Sequence, residues 1–461
     1  MDARPRASFS FVLAMNRQPY TVPPKWWEPK LSLTWVRASR AWRWWRLRRG
    51  QRIREIRAAG WEHVQGPLAQ GHGVLITPNH SAHYDSAALY VAADQVDLPL
   101  YFMTAWQVFG MSNRFDQWAM QHLGCFSIDR EGVDRQAFKQ AVRILQHEPY
   151  PLVIFPEGDI YHTSDRVTPF REGAAAIALM AARRSQRPVS VVPCGIRFHY
   201  LEDPTPRLVE LTDELERRVL LRPAPEQPLP QRVHRIAEAV LALKELDYLG
   251  HTRSGRLRDR IPYLTQAVLR DIEQRHNIPW NGDESPARVP ERIKVLRQRI
   301  IEEMQRRAAE EVDANVRSRR KLLKKDKPHL TRLSRDGVKQ LGWQERLHLD
   351  MEDVFFVMQL YSYPGDYLVG PPTVERLAET LDKFEEDILQ LDLPRVRGAR
   401  RVSILFGKPI AVRTDRGQRA GADELTQTMQ DAVQALIDQL ANERRELDET
   451  SQPAETDASL T

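Results

Sequence analysis

One short stretch, Gly73 to Asp85 (GVLITPNHSAHYD), delivers reactive side chains to a defined point. Val74, Leu75 and Ile76 form an apolar run that Pro78 cannot continue inside a sheet, so a strand should end where Asn79 and His80 begin. Asp85 follows His80 by five residues. On an unbroken helix that spacing sets two side chains about 140° apart, so the pair meets only if a turn intervenes. We therefore read His80 as a loop residue and Asp85 as lying in the first turn of a helix through Ala87, Ala88 and Val91. A carboxylate placed there orients an imidazole and stabilises its protonated form, as the acid of a hydrolase triad does. No serine is needed if the substrate supplies the hydroxyl.

A histidine among polar neighbours is commonly a surface or capping residue, so the pair takes its weight from companions elsewhere. His83 is a rival base inside the same segment. His80, His83 and Asp85 could also be imagined around a metal, but no further ligand pattern such as HExxH accompanies them, and no metal site is assigned.

The elements that must position these residues lie in a chain of 461 residues, 42% hydrophobic, long enough for two to four domains and a large core. Its two cysteines, Cys125 and Cys194, fall in apolar runs and imply no disulfide framework, which fits a reducing compartment. The longest stretch without Asp, Glu, Lys or Arg, residues 63–84, is broken by histidines, glycines and prolines, so no spanning helix is expected, and no secretion signal is legible. Residues 1 to 60 carry 14 Lys/Arg against 3 Asp/Glu, a balance of +11 in a chain whose total is +6, which leaves the remainder at −5. Trp26, Trp27, Trp35, Trp42, Trp44 and Trp45 are set among these cations. On a helical projection Trp35, Trp42, Trp45, Ile53 and Ile56 share one side, a stripe suited to an anionic lipid headgroup layer. Arg49 on the apolar side and Trp44 on the polar side break the pattern and suggest that part of the arm packs on the protein body. Aromatic-basic interleaving also occurs in nucleic-acid binding, but no module of that kind is recognisable, and no nucleic-acid partner is expected.

From Trp61 to Phe198 apolar runs alternate with helical periods, the pattern of an α/β layer structure with a mixed sheet flanked by helices. Strands are expected at Val74 to Thr77, Leu98 to Met103, Cys125 to Ile128, Leu152 to Phe155 and Val189 to Pro193. Helices are expected near Ser86 to Ala93, Asp134 to Gln146 and Arg171 to Arg183.

Four segments in order, Asn79-His80-Ser-Ala-His-Tyr-Asp85, Gly124-Cys-Phe-Ser-Ile-Asp-Arg130, Phe155-Pro156-Glu157-Gly158 and Val191-Val192-Pro193, resemble the four sequence blocks of the glycerolipid acyltransferase family, which includes 1-acylglycerol-3-phosphate acyltransferases. Val64-Gln-Gly66 and Pro169-Phe170-Arg171-Glu172-Gly173 also look like that family. The resemblance covers less than a third of the chain. It implies acyl transfer from acyl-CoA or acyl carrier protein, as co-substrate and with no cofactor, to the hydroxyl of a lysophospholipid in phospholipid biosynthesis. It further implies work at the cytoplasmic face of a membrane, held peripherally.

By that reading His80 is the general base and Asp85 orients it. Asn79, Arg130, Phe155, Pro156, Glu157, Gly158 and Arg171 would contact substrate, with Arg130 on the acceptor phosphate and Gly158 allowing close backbone approach. Backbone N–H groups near the start of the Ser86 helix or in the Glu157-Gly158 turn are candidate oxyanion donors. Read without the family, Phe-Pro-Glu-Gly is a turn and Arg130 beside Asp129 a surface pair. The third block departs from the usual Glu-Gly-Thr-Arg, because Asp159 and Ile160 follow Gly158 and an expected cation is lost. Arg166 or Arg171 could replace it. Two other readings stay beside this one: a different acceptor, such as another lysolipid, an amino lipid or a polyol, and a non-catalytic membrane-binding protein that keeps the fold.

The family pattern breaks off beyond Tyr200 and resumes at Val402-Ser-Ile-Leu-Phe-Gly407-Lys-Pro409-Ile410, so residues 203–398 read as one helical insertion. The expected organisation is a membrane-interface arm over 1–60, an α/β domain over 61–202 and 399–445, the insertion, and a disordered tail over 446–461. Apolar seams run through Val233, Ile236, Val240 and Leu243, ending at Gly250, through Val289, Ile293, Leu296, Ile300 and Met304, and through Leu377, Leu381, Phe384 and Ile388 after an N-cap at Thr373. Leu425, Met429, Val433, Leu436 and Leu440 mark a last helix. The basic run Arg317 to Lys327 reads as a solvated loop or a second membrane contact, and the aromatic stretch Val354 to Pro364 as core or as an acyl-chain groove.

Overall fold

A strand with no polar face must be covered on both sides, and Gly73–Pro78 is buried along its whole length. The computed structural model describes residues 24–130, 134–278, 280, 282–315, 342–414 and 418–451. The expected basic run from Arg317 to Lys327 and the first 23 residues of the arm lie outside them. In chain order the strands are β1 (Ile53–Ala59), β2 (Gly73–Pro78), β3 (Tyr101–Ala105), β4 (Cys125–Ile128), β5 (Leu152–Val153), β6 (Val189–Tyr200), β7 (Arg400–Phe406) and β8 (Ile410–Ala411). They form one mixed sheet in the order β1-β7-β6-β2-β5-β3-β4, with β8 beside β6. β6 runs antiparallel to β7 and β8, and the other pairings are parallel.

Successive residues of the central strands serve opposite layers, as the two-residue period of a strand requires. Val74, Ile76, Val153 and Val192 join a core with Val36 and Leu47 of α1 (Leu33–Ala38) and α2 (Arg40–Gly50), with Val64 of α3 (Glu62–Ala69), and with Ala88, Leu89 and Ala92 of α4 (Asp85–Asp94). Leu75, Leu152, Val189 and Val191 point the other way. They meet two short-residue faces, Ala141 and Leu145 of α7 (Arg135–His147) and Ala174, Ala178 and Ala181 of α8 (Gly173–Arg183), together with Met429, Val433 and Ile437 of the last helix. Between β3 and β7 the chain also forms α5 (Trp106–Met111), α6 (Arg114–His122), α9 (Thr205–Arg218), α10 (Leu229–Leu249), α11 (Leu257–Arg275), α12 (Val289–Asn315), α13 (Trp343–Tyr361) and α14 (Val374–Leu389). The last helix is α15 (Gln418–Ser451), which extends past Glu446, where a disordered tail was expected to begin; residues 452–461 are outside the described set.

The expected strands and helices of the 61–198 region are present, with shifted ends. β6 continues seven residues past Pro193, because its first half pairs with β2 and its second half with β7. The stripe through Trp35, Trp42, Trp45, Ile53 and Ile56 needs correction. The helix stops at Gly50, and Ile53 and Ile56 belong to β1, an edge strand. A register irregularity between Ile53 and Glu55 inserts one residue into the alternation, so residues three apart both face the core. That bulge gives a strand the spacing of a helix.

The chain divides into two compact units: one of Pro24–Val209, Thr373–Asp382 and the part from Arg395 on, which holds the sheet, and one of Glu210–Pro372 and Lys383–Pro394. The helical unit has its own core, in which Leu264, Val268, Ile293, Leu296, Ile300, Val354, Phe355 and Val357 are buried together. The aromatic stretch after Val354 is thus core on α13. Leu243 is exposed, and the buried line of α10 runs through Val233, Ile236 and Leu241. Buried Arg232–Glu216, Arg260–Glu245 and Arg292–Glu273 pairs bind helices of this unit. Among the described residues no helix is long and apolar enough to cross a membrane.

Candidate active site

The carboxyl end of β2 releases the chain at Pro78, and the next residue fixes the loop. Asn79 accepts the Ile196 N–H at 2.7 Å and donates to the Ile196 carbonyl at 3.0 Å, so its amide is bonded on both sides to β6. It is buried and holds the loop to the sheet, both ends of the amide being taken by backbone where a substrate contact is expected from the sequence. His80 follows with its ring 18% exposed. The chain then turns, and Asp85 enters the first turn of α4 with its side chain fully buried.

His80 Nδ1 lies 3.0 Å from Asp85 Oδ2, which also accepts the Ala82 N–H at 2.9 Å. Asp85 Oδ1 is buried and makes no hydrogen bond among the described residues. With a carboxylate accepting at Nδ1, that nitrogen carries the proton and Nε2 is the basic one. Phe155 stacks on the imidazole, ring centroids 4.3 Å apart at 30°, and so restricts its rotation. His83 faces elsewhere, its ring centroid 5.7 Å from that of His162.

Glu157 closes the loop from the far side. Its Oε1 accepts the His80 N–H at 2.7 Å and its Oε2 the Thr168 N–H at 3.1 Å, which ties the β2 loop to the segment before α8. The carboxyl is buried, and burial pushes its pKa up to about 8, helped by the nearby Asp85 charge and opposed by the two backbone N–H groups. Near neutral pH it therefore keeps its proton, and the site holds one carboxylate beside His80 instead of two. Pro156 is likewise a framework residue, its carbonyl accepting the Arg171 N–H at 2.9 Å.

Arg130, Gly158, Asp159 and Arg171 make the charged flank. Gly158 has φ +76°, and a Cβ there would lie 2.6 Å from Arg171 Nε, so the glycine admits the Arg171 side chain as well as the turn. Arg130 donates to the Gly158 carbonyl and sits 3.8 Å from the Asp159 carboxylate. Burial alone would raise the Asp159 pKa, but the Arg130 and Arg171 charges outweigh it and hold the carboxyl below its ordinary value. His80 contributes to the same field. Arg171, one of the two residues expected to stand in for the cation missing from the third block, lies against Gly158 and close enough to Asp159 to lower its pKa.

Of the expected oxyanion donors, Gly158 N–H is committed to the Phe155 carbonyl at 3.1 Å and Asp85 N–H to the Ala82 carbonyl at 3.1 Å. Sequence reasoning did not single out Thr168, whose only signal is its place just before Pro169-Phe170-Arg171. All the site residues lie between β1 and β6, in one unit. No curated protein matches the chain. Residues 57–197, the stretch from the end of β1 to the middle of β6 that carries every one of these side chains, match the family model described as Acyltransferase.

Proposed function

We propose that the protein transfers a fatty acyl group from a thioester, acyl-CoA or acyl carrier protein, to the hydroxyl of a lysophospholipid. The observation that carries this reading is the His80–Asp85 pair, with Nδ1 bonded to a buried carboxylate and the imidazole itself 18% exposed. His80 Nε2 takes the acceptor's hydroxyl proton as that oxygen attacks the thioester carbonyl. The tetrahedral intermediate collapses by breaking the C–S bond, and the thiolate receives the proton back from His80. Asp85 stabilises the imidazolium between the two transfers, and no acyl-enzyme forms.

A membrane-borne acceptor fits the surface of the same unit. Trp35, Trp42, Phe115 and Trp118 of α1, α2 and α6 cluster, Trp35 meeting Trp42 at a tilt and the other pairs edge to face. Phe115 and Trp118 of this cluster are exposed, Arg46 lies over the Trp42 ring, and Trp45, Met111, Arg48, Arg49 and Arg114 on the same three helices and α5 are exposed as well. Indoles favour the headgroup layer, and cations beside an anionic surface contribute about 1 kcal/mol each. Trp26, Trp27 and Trp44 pack on the protein instead. Removing residues 1–57 would take β1 from the sheet, so surface substitutions are the cleaner probe of lipid contact.

The test is thiol release from acyl-CoA by the purified full chain, with vesicles carrying 1-acylglycerol-3-phosphate or another lysophospholipid. Release that requires the acceptor and yields the diacyl product supports the reading. Release at the same rate without any acceptor overturns it.

A further inference from the structure

The charged flank carries an anion where a phosphate-binding site would hold only cations. Asp159 is 28% exposed, 3.8 Å from Arg130, with Oδ1 fixed by the Ile160 N–H at 3.0 Å, and its charge reaches both Arg171 and His80. It is held ionised by the two guanidinium groups. The flank therefore offers two cations and one anion, a net charge of +1, beside the catalytic histidine. A phosphomonoester carries about −1.5 to −2 at pH 7, and its second charge would meet the Asp159 carboxylate. A phosphodiester carries a single charge and matches the flank.

We infer that Asp159 is a specificity-determining residue that selects lysophospholipid acceptors with a phosphodiester headgroup over those with a terminal phosphomonoester. The inference rests on the acyl-transfer reading above. Arg130 and Arg171 hold the diester oxygens, while Asp159 faces the remaining part of the headgroup and repels a second phosphate charge. Replacement of the family's Thr-Arg by Asp-Ile after Gly158 thus changes which headgroup is accepted and leaves the base untouched.

The experiment compares kcat/KM for two acceptors of the same acyl chain, 1-acylglycerol-3-phosphate and lysophosphatidylglycerol, in the wild type and in Asp159→Asn. Asparagine is nearly isosteric, and its Oδ1 can still accept the Ile160 N–H. The wild type is expected to prefer the diester, and Asp159→Asn to move the ratio about tenfold toward the monoester, chiefly through KM. A merely structural role would lower both values together and leave the ratio unmoved, which would overturn the inference. So would a wild-type preference for the monoester. Absence of acyl transfer to either acceptor would instead strike the underlying reading, so the two failures are distinguishable.

Discussion

The two halves of the site are built differently. His80 and Asp85 come from one thirteen-residue stretch, joined by one hydrogen bond and locked by Phe155, Glu157 and the Asn79–Ile196 clamp. Arg130, Asp159 and Arg171 come from three separate segments and meet at the exposed margin, through charges and one carbonyl. A cross-braced base on a fully buried carboxylate tolerates little change, because every neighbour fixes its position. A flank held mainly by charge interactions between side chains from separate segments can exchange a residue and keep its fold. On the proposed function, the chemistry of the reaction falls to the rigid half and the choice of acceptor to the adjustable half.

The hardest blow to this division should fall on Asp85. Asp85→Asn removes the charge that holds the Nδ1 proton, and kcat should drop by about 10² to 10⁴-fold with acceptor KM little changed. A loss confined to KM would move Asp85 to the binding half.

Glu157 sharpens the same comparison through pH. Its folded pKa of about 8 lies above the ordinary 4.5, so the native state retains a proton that the unfolded chain releases. That contribution to stability is fully present below pH 4.5 and is lost progressively as pH rises to about 8, with a slope of at most about 1.4 kcal/mol per unit. Glu157→Gln cannot titrate and loses one of the two acceptors. Urea midpoints of wild type and variant should therefore converge between these pH values, whereas a constant gap would mean that Glu157 holds no proton there.

On the adjustable half, Arg130→Lys keeps the charge and loses the fork. Acceptor KM should rise by about tenfold while donor KM stays within about twofold. Equal changes in both would remove Arg130 from the acceptor site. The smallest effect is expected at His83, which faces His162. His83→Ala should keep kcat/KM within about threefold of wild type, and a loss as large as that at His80 would mean that the base has been misassigned.

Much of the rigid half was legible in the sequence, because its signals are local. An apolar run stopped by proline placed His80 at a strand end, and the five-residue spacing demanded the turn that lets Asp85 reach it. The bonds that brace the pair were not legible, since Asn79 meets Ile196 across 117 residues and Glu157 meets His80 across 77. Both therefore read as substrate contacts although their polar atoms are bonded to backbone. The α/β layers followed from alternation along the strands, but β1 escaped because its bulge imitates a helical period. The loss of the third-block cation was visible in the sequence. That Arg171 lies against Gly158, and that Asp159 feels the charges of both Arg130 and Arg171, required the chain to be folded.

If His80 deprotonates the acceptor, acceptor-dependent thiol release by His80→Ala should show a fall of about 10² to 10⁴-fold in kcat, with an unchanged circular-dichroism spectrum and unchanged vesicle binding. A His80→Ala protein that is folded and transfers acyl groups at the wild-type rate would contradict that role.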